Sequence, residues 1–182
     1  MRRRSILPVL AFAACARKSN LPELGTIPPF EFTDQTGQRF SSEALAGRIW
    51  VADFFFTNCP GPCPRMSNQL KRVQAETQLL PEVRLVSITV DPDRDTPEAL
   101  AQYARRFQAD PQRWFFLTGR KDRISSLMSE SFYLGSMGDL QAHSTRFVLV
   151  DQKMKIRGFY DSFAASSIHQ LIEDIRSLHD RP

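Results

Sequence analysis

The chain has 182 residues, of which 42% are hydrophobic and 24% charged, a length and balance that fit one globular domain with a short remainder and exclude wholesale disorder. Lysine and arginine outnumber aspartate and glutamate by 24 to 20, but Arg2, Arg3 and Arg4 form a cluster at the start. Setting those three aside leaves 21 basic against 20 acidic residues, and no footprint for nucleic acid survives.

The opening residues, MRRRSILPVLAFAACARKSN, run from arginines through a short apolar stretch to small residues, the order of a secretory signal. The stretch is too short to span a bilayer stably. Its FAAC resembles the lipobox of bacterial lipoproteins, with Phe12 where Leu or Val is usual. The expectation is a signal peptide over residues 1–14, a lipid on Cys15, and an extracytoplasmic, periplasmic-side, membrane-anchored protein. The alternatives are a plain signal with an incidental Cys15, or an uncleaved anchor. Residues 15–29 are polar and Pro-containing without periodicity and read as a tether, which leaves 30–182 as the folded domain.

FEFTDQTGQRF, residues 30–40, alternates around a Gly-containing turn and predicts a β-hairpin. SSEALAG reads as a short helix with Ser41 or Ser42 as N-cap and Gly47 as its stop. IWVADFFF, from residue 49, is nearly all apolar, aromatic and β-branched, as a strand covered on both faces is. A helix from Pro64 carries Met66, Leu70, Val73 and Leu80 at helical spacing, and VRLVSITV at 83–90 is a second buried strand. Thr96 and Pro97 suit the N-cap and first position of the next helix; Asp95 is read with them as capping that helix. Then come a strand at 114–119, a helix at 121–132, an antiparallel pair at 144–151 and 155–161, and a final helix with Ile168, Leu171, Ile172, Ile175 and Leu178 on one stripe. The order is that of an α/β, thioredoxin-like fold: a central mixed sheet flanked by helices, with an added N-terminal β-hairpin.

With Cys15 assigned to the anchor, Cys59 and Cys63 remain, in a compartment where thiols tend to oxidise. A pair this close either bridges, shuttles electrons or binds metal. One C-x-x-x-C is too few ligands for a structural zinc site, and a disulfide across so short a loop gains little entropy. Pro62 and Pro64 disfavour helical geometry at Gly61 and Cys63. The helix should therefore start near Pro64, with Cys63 at the N-cap, Cys59 on the loop before it, and both sulfurs drawn towards thiolate by the helix dipole.

FTNCPGPCPRM, DPDRDTP and HSTRFVLVD, in that order, resemble the Sco/SenC family of thioredoxin-fold copper chaperones for cytochrome c oxidase assembly, over roughly residues 25–180. The resemblance implies copper bound by Cys59, Cys63 and His143. Softness agrees, since two thiolates suit Cu(I) and an added imidazole accommodates Cu(II). It also implies a place near the metal for Asp91, in partner contact or in supporting the ligands. Asp53 stands where thioredoxins have a buried carboxylate that takes a proton from the second cysteine, and its apolar flanks would raise its pKa; the alternative is an edge aspartate reaching water.

The implied function is an exported, membrane-tethered metallochaperone that hands copper to the copper A centre of cytochrome c oxidase subunit II or to another copper protein. The rival is a thiol–disulfide oxidoreductase in which Cys59 attacks a partner's disulfide and Cys63 resolves it. Expected partners are that copper protein, a thiol–disulfide reductase, and the membrane through the lipid anchor. His169 and His179 read as solvated, and Met66, Met128, Met137 and Met154 are left out of the site because thioether side chains commonly fill cores.

Overall fold

The computed structural model describes residues 21–135 and 144–180. In chain order these form β1 (Gly25–Thr26), β2 (Glu31–Asp34), β3 (Arg39–Ser41), a 3₁₀ turn (Ser42–Leu45), β4 (Ile49–Phe55), α1 (Pro62–Glu76), β5 (Val83–Thr89), α2 (Pro97–Arg106), β6 (Trp114–Thr118), α3 (Lys121–Ser126) running into a π-helical turn (Leu127–Ser131), β7 (Arg146–Val150), β8 (Lys155–Asp161) and α4 (Ala165–Asp180). The described strands make one mixed sheet in the order β1-β8-β7-β4-β5-β6-β2-β3. β4, β5 and β6 are parallel, and the remaining pairs are antiparallel.

β4 is buried at every position, and its alternation sorts two cores. Ile49, Val51 and Phe55 pack with apolar residues of α1, α2 and α4 on one face. Trp50, Ala52 and Phe54 pack on the other with the hairpin, α3 and the π-helical turn. A strand covered on both faces carries an unbroken apolar run for this reason, and the one polar interruption, Asp53, falls on the first face.

The hairpin forms with Phe32 opposite Phe40. The Asp34 carboxylate accepts from the Thr36 and Gln38 backbone N–H groups at 2.8 and 3.0 Å, and Gly37 takes the positive φ of 78° that the turn requires. β2 then adds to the edge of the sheet against β6. Ser41 is the cap of the 3₁₀ turn. Ser42 is buried and accepts instead from the Phe30 N–H at 2.9 Å.

Residues 21–29, read from sequence as part of a tether, are held against the sheet. β1 pairs with β8, and the Leu24 and Ile27 N–H groups bond Ile156 O and Met154 O, each at 2.9 Å. The Arg157 guanidinium donates to Pro22 O at 3.0 Å and to Leu21 O while pairing with Asp151 at 2.7 Å. Two residues of strand carry too little periodicity to be read from sequence. The domain therefore extends N-terminal of residue 30. The helix expected over 121–132 forms, but its second half widens to π geometry, with Phe132 N bonded to Leu127 O; Phe132 is fully buried edge-on to Trp50 and Phe54.

Candidate functional site

The cysteines lie between the end of β4 and the first turn of α1. Cys59 is 7% exposed and Cys63 is fully buried. No disulfide joins them, and the Cys63 N–H donates to Cys59 Sγ at 3.4 Å. The Cys59 N–H in turn bonds Phe56 O at 3.3 Å.

The helix starts earlier than the prolines suggested. α1 begins at Pro62, after Gly61 makes the entry turn with φ −139° and ψ −89°, so Cys63 is the second helical residue rather than the cap. Proline's bias against a helical predecessor is outweighed here because both rings stand in the first turn, where backbone N–H groups have no intrahelical acceptor. Of the first three helical residues only Cys63 has an N–H, and the Cys59 sulfur accepts it.

Burial also corrects the expectation that both sulfurs are drawn to thiolate. Desolvation pushes the Cys63 thiol far above its ordinary range, the Cys59 contact adds to this, and a backbone hydrogen bond from Phe56 opposes it without winning. The dipole of the helix end is a smaller effect than removing the sulfur from water.

Asp53 is not an edge residue. It is fully buried directly opposite Ser87 of β5, whose hydroxyl donates to Asp53 Oδ1 at 2.5 Å and accepts from Trp114 Nε1 at 2.9 Å. The second carboxylate oxygen has no protein partner. Burial raises its pKa to about 7, against the opposing Ser87 bond, and its charge acts on Cys63. Tyr103 of α2 meets Ser67 of α1 hydroxyl to hydroxyl at 3.0 Å on the same face.

Asp91 follows β5, is 5% exposed, and pairs with Arg94 at 2.9 Å. His143 and Cys15 lie outside the described residues. The described chain enters β7 at the cysteine end of the sheet: the antiparallel register Trp50↔Val150, Ala52↔Val148 puts the start of β7 beside the end of β4. Among the described residues no group of three or more His, Cys, Asp or Glu side chains is placed to hold a metal ion. Met66 is fully buried in the core that also holds both cysteines, Met128 lies in the core of the opposite face, and Met154 sits in the β7–β8 turn. Met137 is outside the described residues. His169 is exposed on α4, and His179 contacts Glu82.

Residues 19–180 match the SCO1/SenC family model. The chain belongs to the SCO1/SenC family. It is 32% identical over 164 residues to the SCO1 protein homolog of Bacillus subtilis, covering 83% of this chain and 81% of that protein. Its fold superposes on a SCO1/SenC family lipoprotein from Bacillus anthracis with a TM-score of 0.81 at 30% identity, covering 90% of this chain and 99% of the other. Against Arabidopsis thaliana ScoI with copper bound the TM-score is 0.70 at 26% identity, covering 84% and 99%. Sco proteins are cytochrome c oxidase assembly proteins.

In this Sco/SenC member the capping role expected of Asp95 is not the one its side chain takes. Thr96 caps α2, its hydroxyl accepting from Ala99 N at 3.3 Å, but Asp95 does not. Its carboxylate, 1% exposed, accepts from the Thr57 N–H at 3.1 Å, the Thr57 hydroxyl at 2.5 Å and the Thr89 hydroxyl. An aspartate next to an N-cap threonine looks like helix-start chemistry. The parallel pairing that brings residue 57 to residue 95 leaves no local mark. Ser87 was missed for the same reason, although its place on the Asp53 face follows from strand alternation once the register is known.

Proposed function

We propose that this chain is an exported, membrane-tethered copper metallochaperone that carries copper on Cys59, Cys63 and His143 and delivers it to the copper A centre of cytochrome c oxidase subunit II. The supporting observation is the dithiol itself: two cysteines four residues apart, the Cys63 backbone N–H donating to the Cys59 sulfur at 3.4 Å, at the end of the sheet where β7 begins. Two thiols and an imidazole form a soft donor set that suits Cu(I) and also accommodates Cu(II). Binding displaces protons from the sulfurs, and burial that disfavours a bare Cys63 thiolate makes the cation a better counter-charge than water.

Transfer runs by ligand exchange, with thiolates of the acceptor replacing Cys59 first, since it is the less buried cysteine. Cys15 anchors the chain through its lipid after removal of residues 1–14, and the segment up to residue 20 gives the domain its reach. A lipoprotein among the solved relatives supports the anchor. Asp91, paired to Arg94, faces the partner or steadies the site.

The reading is tested by anaerobic reconstitution of the reduced protein with Cu(I), with stoichiometry and sulfur coordination read by X-ray absorption. One copper on two sulfurs and one nitrogen is expected, and His143→Ala is expected to weaken retention while leaving disulfide reduction mostly intact. Unchanged affinity in that variant rules out the three-ligand set. The second reading, a thiol–disulfide oxidoreductase for a copper-binding partner, is favoured by the asymmetry of the pair. Cys59 is the less buried, attacking cysteine, and the fully buried Cys63 feels an Asp53 carboxyl whose pKa burial raises to about 7, suited to take the proton.

A further inference from the structure

We infer that Asp95 is the positioning residue of the dithiol, acting through Thr57 to hold the cysteine loop in a binding-ready shape. The loop between β4 and α1 carries no helix or sheet bonds of its own, yet it must keep two sulfurs within reach of each other. Phe56 touches both cysteines, its carbonyl on the Cys59 N–H and its backbone on the Cys63 sulfur. Thr57 is the next residue, and both of its donors end on the Asp95 carboxylate, 38 positions away. The second Asp95 oxygen also takes the Thr89 hydroxyl, and the Thr89 oxygen in turn accepts the Asp91 N–H at 3.0 Å. The Asp95 backbone is fixed as well, its N–H bonding Asp91 O at 2.9 Å.

One buried carboxylate therefore joins the cysteine loop, the end of β5 and the loop that bears Asp91. A surface aspartate that only capped α2 would need none of these contacts, and Thr96 already supplies that cap. Ordering a loop before its cargo arrives removes that cost from the binding step. Loss of the clasp should therefore appear as a weaker union of the two sulfurs, whether a disulfide or a copper ion joins them. The copper arm of this inference rests on the carrier reading; the disulfide arm does not.

The experiment uses the full-length chain with Cys15→Ser, so that only two thiols titrate, and compares Asp95→Ala, Thr57→Val, Thr57→Ser and the Asp95→Ala/Thr57→Val double variant. Equilibration with reduced and oxidised glutathione gives the effective molarity of Cys59 against Cys63. It is expected to fall about threefold or more in Asp95→Ala and Thr57→Val and to stay within about twofold of wild type in Thr57→Ser; the double variant should fall no further than Asp95→Ala, because the two act as one unit. The Cu(I) dissociation constant, by chelator competition, is expected to rise about tenfold or more in the same two single variants. Thermal unfolding monitored in parallel separates this from a loss of fold, and Thr57→Val keeps the test open should Asp95→Ala not fold. The proposal is overturned if Thr57→Val leaves the effective molarity unchanged, or if the two single effects multiply in the double variant. A wild-type chain that forms its disulfide normally but takes up no Cu(I) sinks the copper reading and leaves the clasp standing.

Discussion

At the scale of single residues, the site is governed by what burial does to titratable groups. Asp53 has its folded pKa raised to about 7 by desolvation, with the Ser87 hydrogen bond only partly opposing it. A carboxyl whose folded pKa lies above its unfolded value near 4 binds more protons folded than unfolded between those two pH values, so stability falls as pH rises through that window. Below pH 4 there is no penalty; above pH 7 it is complete, on the order of 4 kcal/mol at most for a shift of this size. Asp53→Asn cannot ionise, and its amide meets the same local packing at every pH. The gap in unfolding free energy, from urea titrations, between Asp53→Asn and the reduced wild type should therefore move in the variant's favour by about 3 kcal/mol on going from pH 4.5 to pH 8. A gap that stays constant across that range would mean that the carboxyl does not titrate there. Asp53 as a residue was legible in the sequence, since an aspartate inside IWVADFFF has no polar neighbour to hide behind. Its partner Ser87 was not, because strand pairing sets which residue of β5 it meets.

At the scale of elements, the strands were legible wherever burial on both faces gave a continuous apolar run, and the α-helices wherever a stripe repeated with helical spacing. What failed was local rule against local rule at α1. The steric bias before Pro64 pointed to a late start, whereas the missing donors of Pro62 and Pro64 suit the first turn, and the second effect prevailed because it needs no strain beyond the Gly61 turn. β1 failed differently, since its hold comes from residues far along the chain. Asp151 organises that hold: one oxygen accepts from the Lys153 and Lys155 N–H groups at 2.8 and 2.9 Å, and the other pairs with Arg157, which grips Leu21 O and Pro22 O. Both side chains of the pair are only 6% exposed. Asp151→Ala leaves a buried guanidinium without its counter-charge and should cost about 3–5 kcal/mol, most of it recovered in Asp151→Ala/Arg157→Met, where no charge is buried. Urea unfolding measures both, and amide exchange at Leu24 and Ile27 should quicken in the single variant as β1 loosens. A single variant as stable as wild type would show that the pair carries no weight.

At the scale of the whole molecule, sheet order decides what can meet at the site. β4 lies between β5 and β7, so the loop that follows β4 is flanked by the Asp91–Asp95 segment leaving β5 and by the chain entering β7. None of this is written in spacing along the sequence; 24 and 45 residues separate the consecutive family motifs there, and it is the parallel β4–β5 and antiparallel β4–β7 registers that set the cysteine loop beside the end of β5 and the start of β7. A cargo held by Cys59, Cys63 and His143 would tie that end together, and its binding must then appear as stability. Free Cu(I) buffered at a hundred times the dissociation constant stabilises the folded chain by about 2.7 kcal/mol, roughly 5–11 °C in Tm for a chain of this length. An unfolded chain still offers two thiols to Cu(I), which trims the shift, whereas the imidazole contributes only when the fold brings it to the sulfurs. At one fixed level of buffered Cu(I), calorimetry should therefore give the largest rise for wild type, a clearly smaller one for His143→Ala, and none for Cys59→Ala. Equal rises for wild type and His143→Ala would mean that the imidazole never joins the dithiol, leaving a two-sulfur site in which copper closes only the loop between β4 and α1.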